Sequence, residues 1–357
     1  MSQIPATMMG AYLPGNSTVE MKEIPVPTPG PGQVLVKTKA STICGSDIRA
    51  IYREHLGKGP EAYQNKVAGH EPCGQIIKCG TDMKKFKEGD RVVLYHISGC
   101  GICNDCRRGY MISCTSEARA AYGWQRDGGM AEYMLVDEKD CVLLPDELSY
   151  VDGAQVACGF GTVYEGIEKA GISGKDAVLV VGLGPVGLAT MMLAKALGAN
   201  KIIGVDTVQE RCDIAKDLGL ADAVFVSGPD TLEKVLAESH TGEGFEKTLD
   251  CSGHTLGRQL AIRATRKWGH MTMIGEGGTV EFNPSPDIIH DQITIHGSWV
   301  TSTSRMEELV ELLVRWNIHP EDLVQHRFEL KDAAKAYELM DGGKCGKIAV
   351  VFDEEIK

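Results

Sequence analysis

Residues 177–187 read AVLVVGLGPVG, a wholly apolar run ending in three glycines spaced G-x-G-x-x-G at Gly182, Gly184 and Gly187. Five apolar residues stopped by glycine read as a buried strand, and Pro185, whose fixed φ suits a first helical turn, opens a helix after it. In that context the glycines have distinct uses: a tight turn, close approach of a pyrophosphate to the backbone, and packing of helix on strand. Residues 177–194 form an uncharged apolar run long enough to span a membrane, but Gly182, Gly184, Pro185 and Gly187 break it into strand, turn and helix. Beyond it KIIGVD, residues 201–206, reads as a second strand ending in Asp206, whose carboxylate suits a ribose 2′-hydroxyl and would repel a 2′-phosphate. The pattern predicts NAD rather than NADP. A glycine-rich turn without a ligand, followed by a merely exposed aspartate, is the plainer reading; agreement in the type and spacing of four features outweighs it.

The rhythm continues outward from this unit. Helices at 209–218, 232–239 and 256–267 alternate with strands at 201–206, 221–226, 247–253, 270–275 and 292–299, which predicts a parallel sheet with helices on both faces. Before it lie short β runs punctuated by Gly and Pro, namely QVLVKTKA (33–40), GQIIKC (74–79), DRVVLY (90–95) and AEYMLV (131–136), so an irregular β-rich domain is expected there. After residue 298 two helical stretches, MEELVELLVRW and LKDAAKAYELM, precede a last apolar strand, KIAVVF, that either completes the β domain or extends the parallel sheet. No repeat or low-complexity segment appears. The expected fold class is α/β, divided into a β-rich domain at 1–157, a dinucleotide-binding domain at 158–298 and a C-terminal segment at 299–357.

The chain has 357 residues, 43% of them hydrophobic, and a formal net charge of -12. Such a balance argues against a general grip on nucleic acid or an anionic membrane surface and for small-molecule or protein partners. The opening MSQIPATMMG lacks the basic stretch and apolar core of a secretory signal, so the expected address is the cytoplasm. There disulfides do not explain twelve cysteines. Four of them, Cys100, Cys103, Cys106 and Cys114, form C-x2-C-x2-C-x7-C, a spacing suited to one closed tetrahedral zinc. An iron–sulfur cluster of the bacterial ferredoxin type would need x3-C-P after the third cysteine, which the gap to Cys114 and the Thr115 after it do not provide. Cys44, His70, Glu71 and Cys158 are a second set of ligand-type residues. Two thiolates and an imidazole leave a fourth position open, as a catalytic zinc requires, but spacing alone does not assemble them, and each on its own reads as well as a core residue.

Cys-Gly-Ser-Asp at 44–47, G-H-E-x2-G-x5-G from Gly69 to Gly80, the four-cysteine lobe and the glycine turn, in that order from about residue 30 to the C-terminus, resemble the zinc-dependent medium-chain alcohol dehydrogenases, in particular the polyol, sugar and threonine branch. The resemblance implies a GroES-like catalytic domain carrying a zinc lobe at about 96–115, a Rossmann coenzyme domain, and a C-terminal segment returning to the catalytic domain. It implies two zinc ions per chain, one on Cys44, His70 and Cys158 with Glu71 nearby, the other on the four-cysteine lobe. Ser46 would take the substrate proton and Asp47 would orient His70. Gly182, Gly184, Pro185, Val186, Gly187, Asp206, Arg211 and Lys347 would serve NAD, Lys347 through the pyrophosphate. One departure is Arg49, three residues after Ser46, where many family members have a proton-relaying histidine; arginine does not deprotonate, so His55 or water is left as the proton's exit.

The implied reaction is reversible oxidation of a hydroxyl to a carbonyl with hydride transfer to NAD. His96, four residues before Cys100, matches a position that lines the family's substrate pocket, where enzymes of simple alcohols tend to carry an aromatic ring. A histidine there suits a secondary hydroxyl of a polyol, sugar or cyclitol; packing beside the lobe is its plainer use. A threonine or simple alcohol dehydrogenase and a non-catalytic NAD-binding protein are the alternatives. The expected partners are a small alcohol or polyol and further copies of the chain, as a dimer or tetramer, with no nucleic acid and no membrane.

Overall fold

The computed structural model describes residues 4–352. The chain divides into two units: Met1–Gly161, Thr301–Gly343 and Lys347–Lys357 in one, Thr162–Val300 and Lys344–Gly346 in the other. The first begins with a hairpin of β1 (Thr7–Tyr12) and β2 (Glu20–Pro25), followed by β3 (Gln33–Ile43), β4 (Glu71–Cys79), β5 (Arg91–Leu94), β6 (Ile97–Ser98), β7 (Ala120–Ala121), β8 (Tyr133–Asp137) and β9 (Cys141–Leu143). Alternate residues of β3 and β4 turn inward: Val34, Val36 and Ile76 join Val92, Leu94, Tyr122 and Met134 in one core.

The second unit holds β10 (Ala177–Val181), β11 (Lys201–Asp206), β12 (Ala223–Val226), β13 (Phe245–Asp250), β14 (Thr265–Met273) and β15 (Thr294–Gly297), all parallel, in the order β12-β11-β10-β13-β14-β15. This is the doubly wound order, whose ligand crevice lies where successive strands depart to opposite sides, at the carboxyl end of β10. Every residue of β10 is buried, as an inner parallel strand covered on both faces must be. Helices Pro185–Ala196, Gln209–Asp217, Thr231–Glu238 and Thr255–Ala264 alternate with the strands. The helix expected at 256–267 therefore ends early. Thr265 leaves it for β14, where it pairs with Phe245 of β13 and its hydroxyl meets that of Thr248 at 2.7 Å, so pairing in the parallel sheet outweighs the helical pattern of the next residues.

After helix Thr303–Trp316 the chain forms β16 (Val324–Glu329) and, past helix Ala333–Asp341, β17 (Lys347–Val351). Strand β17 inserts between β16 and β3, so the last apolar run completes the β-rich unit's seven-stranded sheet, β16-β17-β3-β4-β5-β9 with β8 also on β3. Asp152 fastens this return. While capping helix Tyr150–Gln155 with Ser149, its carboxylate accepts the Glu321 amide at 2.8 Å and meets His319 Nδ1 at 3.0 Å. No helix among the described residues is long and apolar enough to cross a membrane.

Candidate active site

The register of β3 against β4 builds one end of the site. Thr42 stands opposite Glu71, so Cys44, just past the end of β3, and His70, just before β4, emerge side by side. Cys158 arrives on a π-helical turn, Val156–Phe160, a local widening of the helix that often marks functional positions. The ligand atoms of Cys44, His70, Glu71 and Cys158 all lie within 4.8 Å of one another. Asp47, fully buried, accepts the Cys44 amide at 3.1 Å and meets His70 Nδ1 at 2.7 Å, which aims Nε2 at the cluster. The Ser46 hydroxyl stands 3.4 Å from that Nε2.

These side chains perturb one another as a compact donor set must. The hydrogen bond from Cys158 holds the Cys44 thiol well below its ordinary value, against burial and with help from His70 and Lys347. The same bond, with burial, pushes Cys158 up. Burial disfavours charge on His70, yet Asp47 and Cys44 together hold its pKa well above the usual range. Two soft sulfurs and an imidazole anchored on a carboxylate, all buried except the half-buried Cys158, fit a zinc ion better than any hard cation.

Glu71 faces this cluster but is held from three directions. The Thr42 hydroxyl donates to Oε2 at 2.6 Å, the Gly159 amide donates to Oε1 at 3.1 Å, and the Lys347 ammonium pairs with Oε2. Lys347, expected at the pyrophosphate, is buried at the first residue of β17 with its charge on Glu71. Burial lifts the Glu71 carboxyl despite that partner. His55, a candidate for proton exit, bonds the Leu13 carbonyl at 2.8 Å and packs on Tyr63; no hydrogen bond among the described residues joins it to Ser46.

His96 lies beside the cluster, its ring 5.2 Å from that of His70. Its Nδ1 is 2.8 Å from the Ala157 carbonyl, which has no proton to give, so Nδ1 carries the hydrogen and Nε2 is an acceptor. Burial, aided by His70, drives its pKa down to about 3 and keeps it neutral. Sequence reasoning did not place Trp124, whose ring is 4.8 Å from His70, nor the Ala157 carbonyl; neither belongs to a spacing pattern.

In the cysteine lobe the four sulfurs also lie within 4.8 Å of one another. Backbone amides point at them: Cys103 donates to Cys100, Cys106 to Cys103 and Cys100 to Cys114, each at 3.4 Å. Amide donors of this kind stabilise thiolates, so the lobe is preorganised for a closed zinc.

In the other unit Gly182 has φ +94, and a Cβ there would stand 2.6 Å from the Ser252 nitrogen; a Cβ on Gly187 would stand 1.8 Å from the Gly182 carbonyl oxygen. No side chain fits either position. Helix Pro185–Ala196 starts with no side-chain cap, leaving its first amides for an anion. Asp206 ends β11 and accepts the Leu183 amide at 2.6 Å and the Val208 amide at 2.9 Å, with the Arg211 guanidinium 3.5 Å away.

Residues 30–146 match the alcohol dehydrogenase GroES-like domain and residues 185–315 the zinc-binding dehydrogenase domain. The chain is 54% identical over 352 residues to the uncharacterized zinc-type alcohol dehydrogenase-like protein YphC of Escherichia coli K12, covering 98% of this chain and 99% of that one. It is 28% identical over 333 residues to an L-threonine 3-dehydrogenase of Escherichia coli SE11, covering 93% and 96%. Among solved structures, a zinc-binding dehydrogenase of Sinorhizobium meliloti 1021 bound to NADP superposes with a TM-score of 0.86 at 25% identity, covering 98% of this chain and 100% of that one. An Escherichia coli CFT073 alcohol dehydrogenase complexed with NADH does so with 0.85 at 25%, with the same coverage.

Proposed function

The chain belongs to the zinc-dependent medium-chain alcohol dehydrogenases, oxidoreductases acting on alcohols, and from that premise we propose that it oxidises a secondary hydroxyl of a polyol, sugar or cyclitol with NAD. Cys44, His70 and Cys158 are the residues to hold the catalytic zinc, and the four-cysteine lobe a second, structural one. When bound, zinc supplies Lewis-acid polarisation of the substrate oxygen and NAD supplies the hydride acceptor. The protein's own part is positioning and proton handling. Asp47 fixes the orientation of His70. Ser46, beside the ligand nitrogen of His70, relays the hydroxyl proton, taking it up as its own proton passes to water. The Thr42 hydroxyl, the Gly159 amide and Lys347 keep the Glu71 carboxylate in place.

Solved structures of similar fold carry NADP in one case and NADH in another, so the fold leaves coenzyme choice to residues such as this chain's Asp206. Its carboxylate at the end of β11 favours a ribose diol and opposes a 2′-phosphate.

The observation that carries the substrate class is His96: an imidazole beside the metal ligands, neutral, with Nδ1 committed to Ala157 and Nε2 left as an acceptor. A site with a buried acceptor favours substrates that bring a second hydroxyl, because an analogue without it leaves that acceptor unpaired at about 1–3 kcal/mol. The threonine dehydrogenase relative supports the second reading, a β-hydroxy amino acid. Nicotinamide absorbance followed across polyols, 2-butanol and threonine tests both. Polyols should exceed 2-butanol in kcat/KM, and His96→Phe should narrow the gap. A wild-type preference for 2-butanol or threonine would refute the polyol reading.

A further inference from the structure

Asp152, His319 and Glu321 form a cluster of metal-ligand side chains that shares no residue with the Cys44 set or the cysteine lobe, and one ligand atom from each lies within 4.8 Å of the others. The cluster joins segments 167 residues apart in sequence, the helix Tyr150–Gln155 and the C-terminal return, both within the β-rich unit. Asp152 contributes a fully buried carboxylate, while the His319 and Glu321 side chains are 35% and 28% exposed, so the cluster opens to water on one side.

Its geometry suits a chelate. The Asp152 oxygen and His319 Nδ1 are 3.0 Å apart. Two atoms that are each about 2.1 Å from one zinc ion, at an angle of about 90°, stand about 3 Å from each other. The carboxylate is also held ready. The Ser149 amide donates to Oδ2 at 2.9 Å and the Glu321 amide to Oδ1 at 2.8 Å, bonds that fix a ligand as the outer partners of metal sites do. Arg327 fixes Glu321 in the same way, through Oε2 at 2.7 Å. Asp152, Asp322 and Glu321 all act on His319 as negative charges, so the field there favours a cation in spite of Arg327. Capping the helix needs only the exchange between Ser149 and Asp152, and the imidazole and second carboxylate are surplus to it.

One imidazole and two carboxylates make a mixed donor set that suits zinc better than magnesium or calcium. The geometry points to a further zinc site, in which Asp152, His319 Nδ1 and Glu321 bind one ion, water fills the remaining positions, and the ion ties the C-terminal return to the helix. The ion takes the place of the proton that Nδ1 shares with Asp152.

The test starts from enzyme dialysed to constant zinc content, so that only zinc beyond what the cysteine sets retain is counted. Calorimetric titration with zinc chloride should show one further ion per chain, bound in the micromolar range, with a rise in Tm. His319→Gln and Glu321→Gln should each weaken that ion on the order of 100-fold or abolish it, since a lost ligand costs at least as much as a lost outer partner, while activity and the retained zinc stay unchanged. His319→Cys, which keeps a zinc ligand at that position, should still bind it. Magnesium chloride should give neither heat nor a rise in Tm. No further zinc in the wild type would overturn the proposal whatever the variants do. A further zinc that survives both His319→Gln and Glu321→Gln would lie elsewhere and overturn it as well, and a magnesium response equal to that of zinc would overturn the choice of ion.

Discussion

Ser46 and Asp47 are sequence neighbours acting on different atoms of one imidazole, and their replacements should separate. Ser46 is 3.4 Å from His70 Nε2 and supplies a hydroxyl rather than a ligand. Ser46→Ala should lower kcat by about 100-fold, the usual loss when a positioned proton-transfer group is removed, with zinc content unchanged. Asp47 acts on metal binding instead. Asp47→Asn weakens the bond that fixes His70 and should cost about 10–100-fold in zinc affinity, read by chelator competition. Equal zinc loss in both variants would deny the separation. At the coenzyme turn, Asp206 should give on the order of 100-fold preference for NAD over NADP. Asp206→Gly should shrink that ratio mainly by weakening NAD. Since Asp206 also accepts the Leu183 and Val208 amides, the same variant should melt at a lower temperature, a cost that its position at a strand end did not announce.

At the scale of elements, the two cysteine sets differ in how much of the fold they hold. The lobe around helix Asn104–Arg107 buries few apolar side chains of its own beyond Met111 and Ile112, and Ile102 within it is 80% exposed, so the closed metal carries much of its shape. Cys103→Ser should lose one zinc and lower Tm; Cys44→Ser should lose the other zinc and all activity with a smaller change in Tm, because its strand ends are held by the sheet. The helix at Tyr150–Gln155 supplies a pH-dependent clamp. Its Asp152 raises the His319 pKa above the ordinary value. A histidine whose folded pKa is raised adds stability that is complete below its unfolded pKa, about 6.5, and fades as pH rises through the folded one. The Tm difference between wild type and His319→Gln should therefore be larger in mildly acidic than in alkaline buffer; a gap growing with pH would reverse the assignment. Sequence patterns revealed the elements whose cause is local. The strand–glycine–helix turn and the lobe each lie within a short segment, where spacing is geometry. The β1–β2 hairpin escaped because TMMGAY and EMKEIP lack clean apolar alternation, and the π-helical turn bearing Cys158 has no propensity signal.

Across the whole molecule, what the sequence hides is set by contacts between distant segments. Cys44, His70 and Cys158 became a metal set through resemblance, because only the β3–β4 register and the π-helical turn bring them together. Lys347 and Glu71 lie 276 residues apart, and the insertion of β17 beside β3 makes them a buried ion pair at the site. The side chains are 3% and 0% exposed, so removing one charge strands the other away from water. Lys347→Met should destabilise the protein by about 3–5 kcal/mol in guanidinium unfolding, the range for breaking a buried pair on one side. Adding Glu71→Gln should recover most of that loss. The amide is neutral, its oxygen still accepts from Gly159, and its NH2 group can donate to the Thr42 hydroxyl, so both present partners keep a bond. A double variant as stable as the wild type would mean that the pair adds little net stability and is retained for where it holds the Glu71 carboxylate. A double variant no more stable than Lys347→Met alone would locate the damage in lost packing of the lysine stem, and the buried charge would no longer explain it.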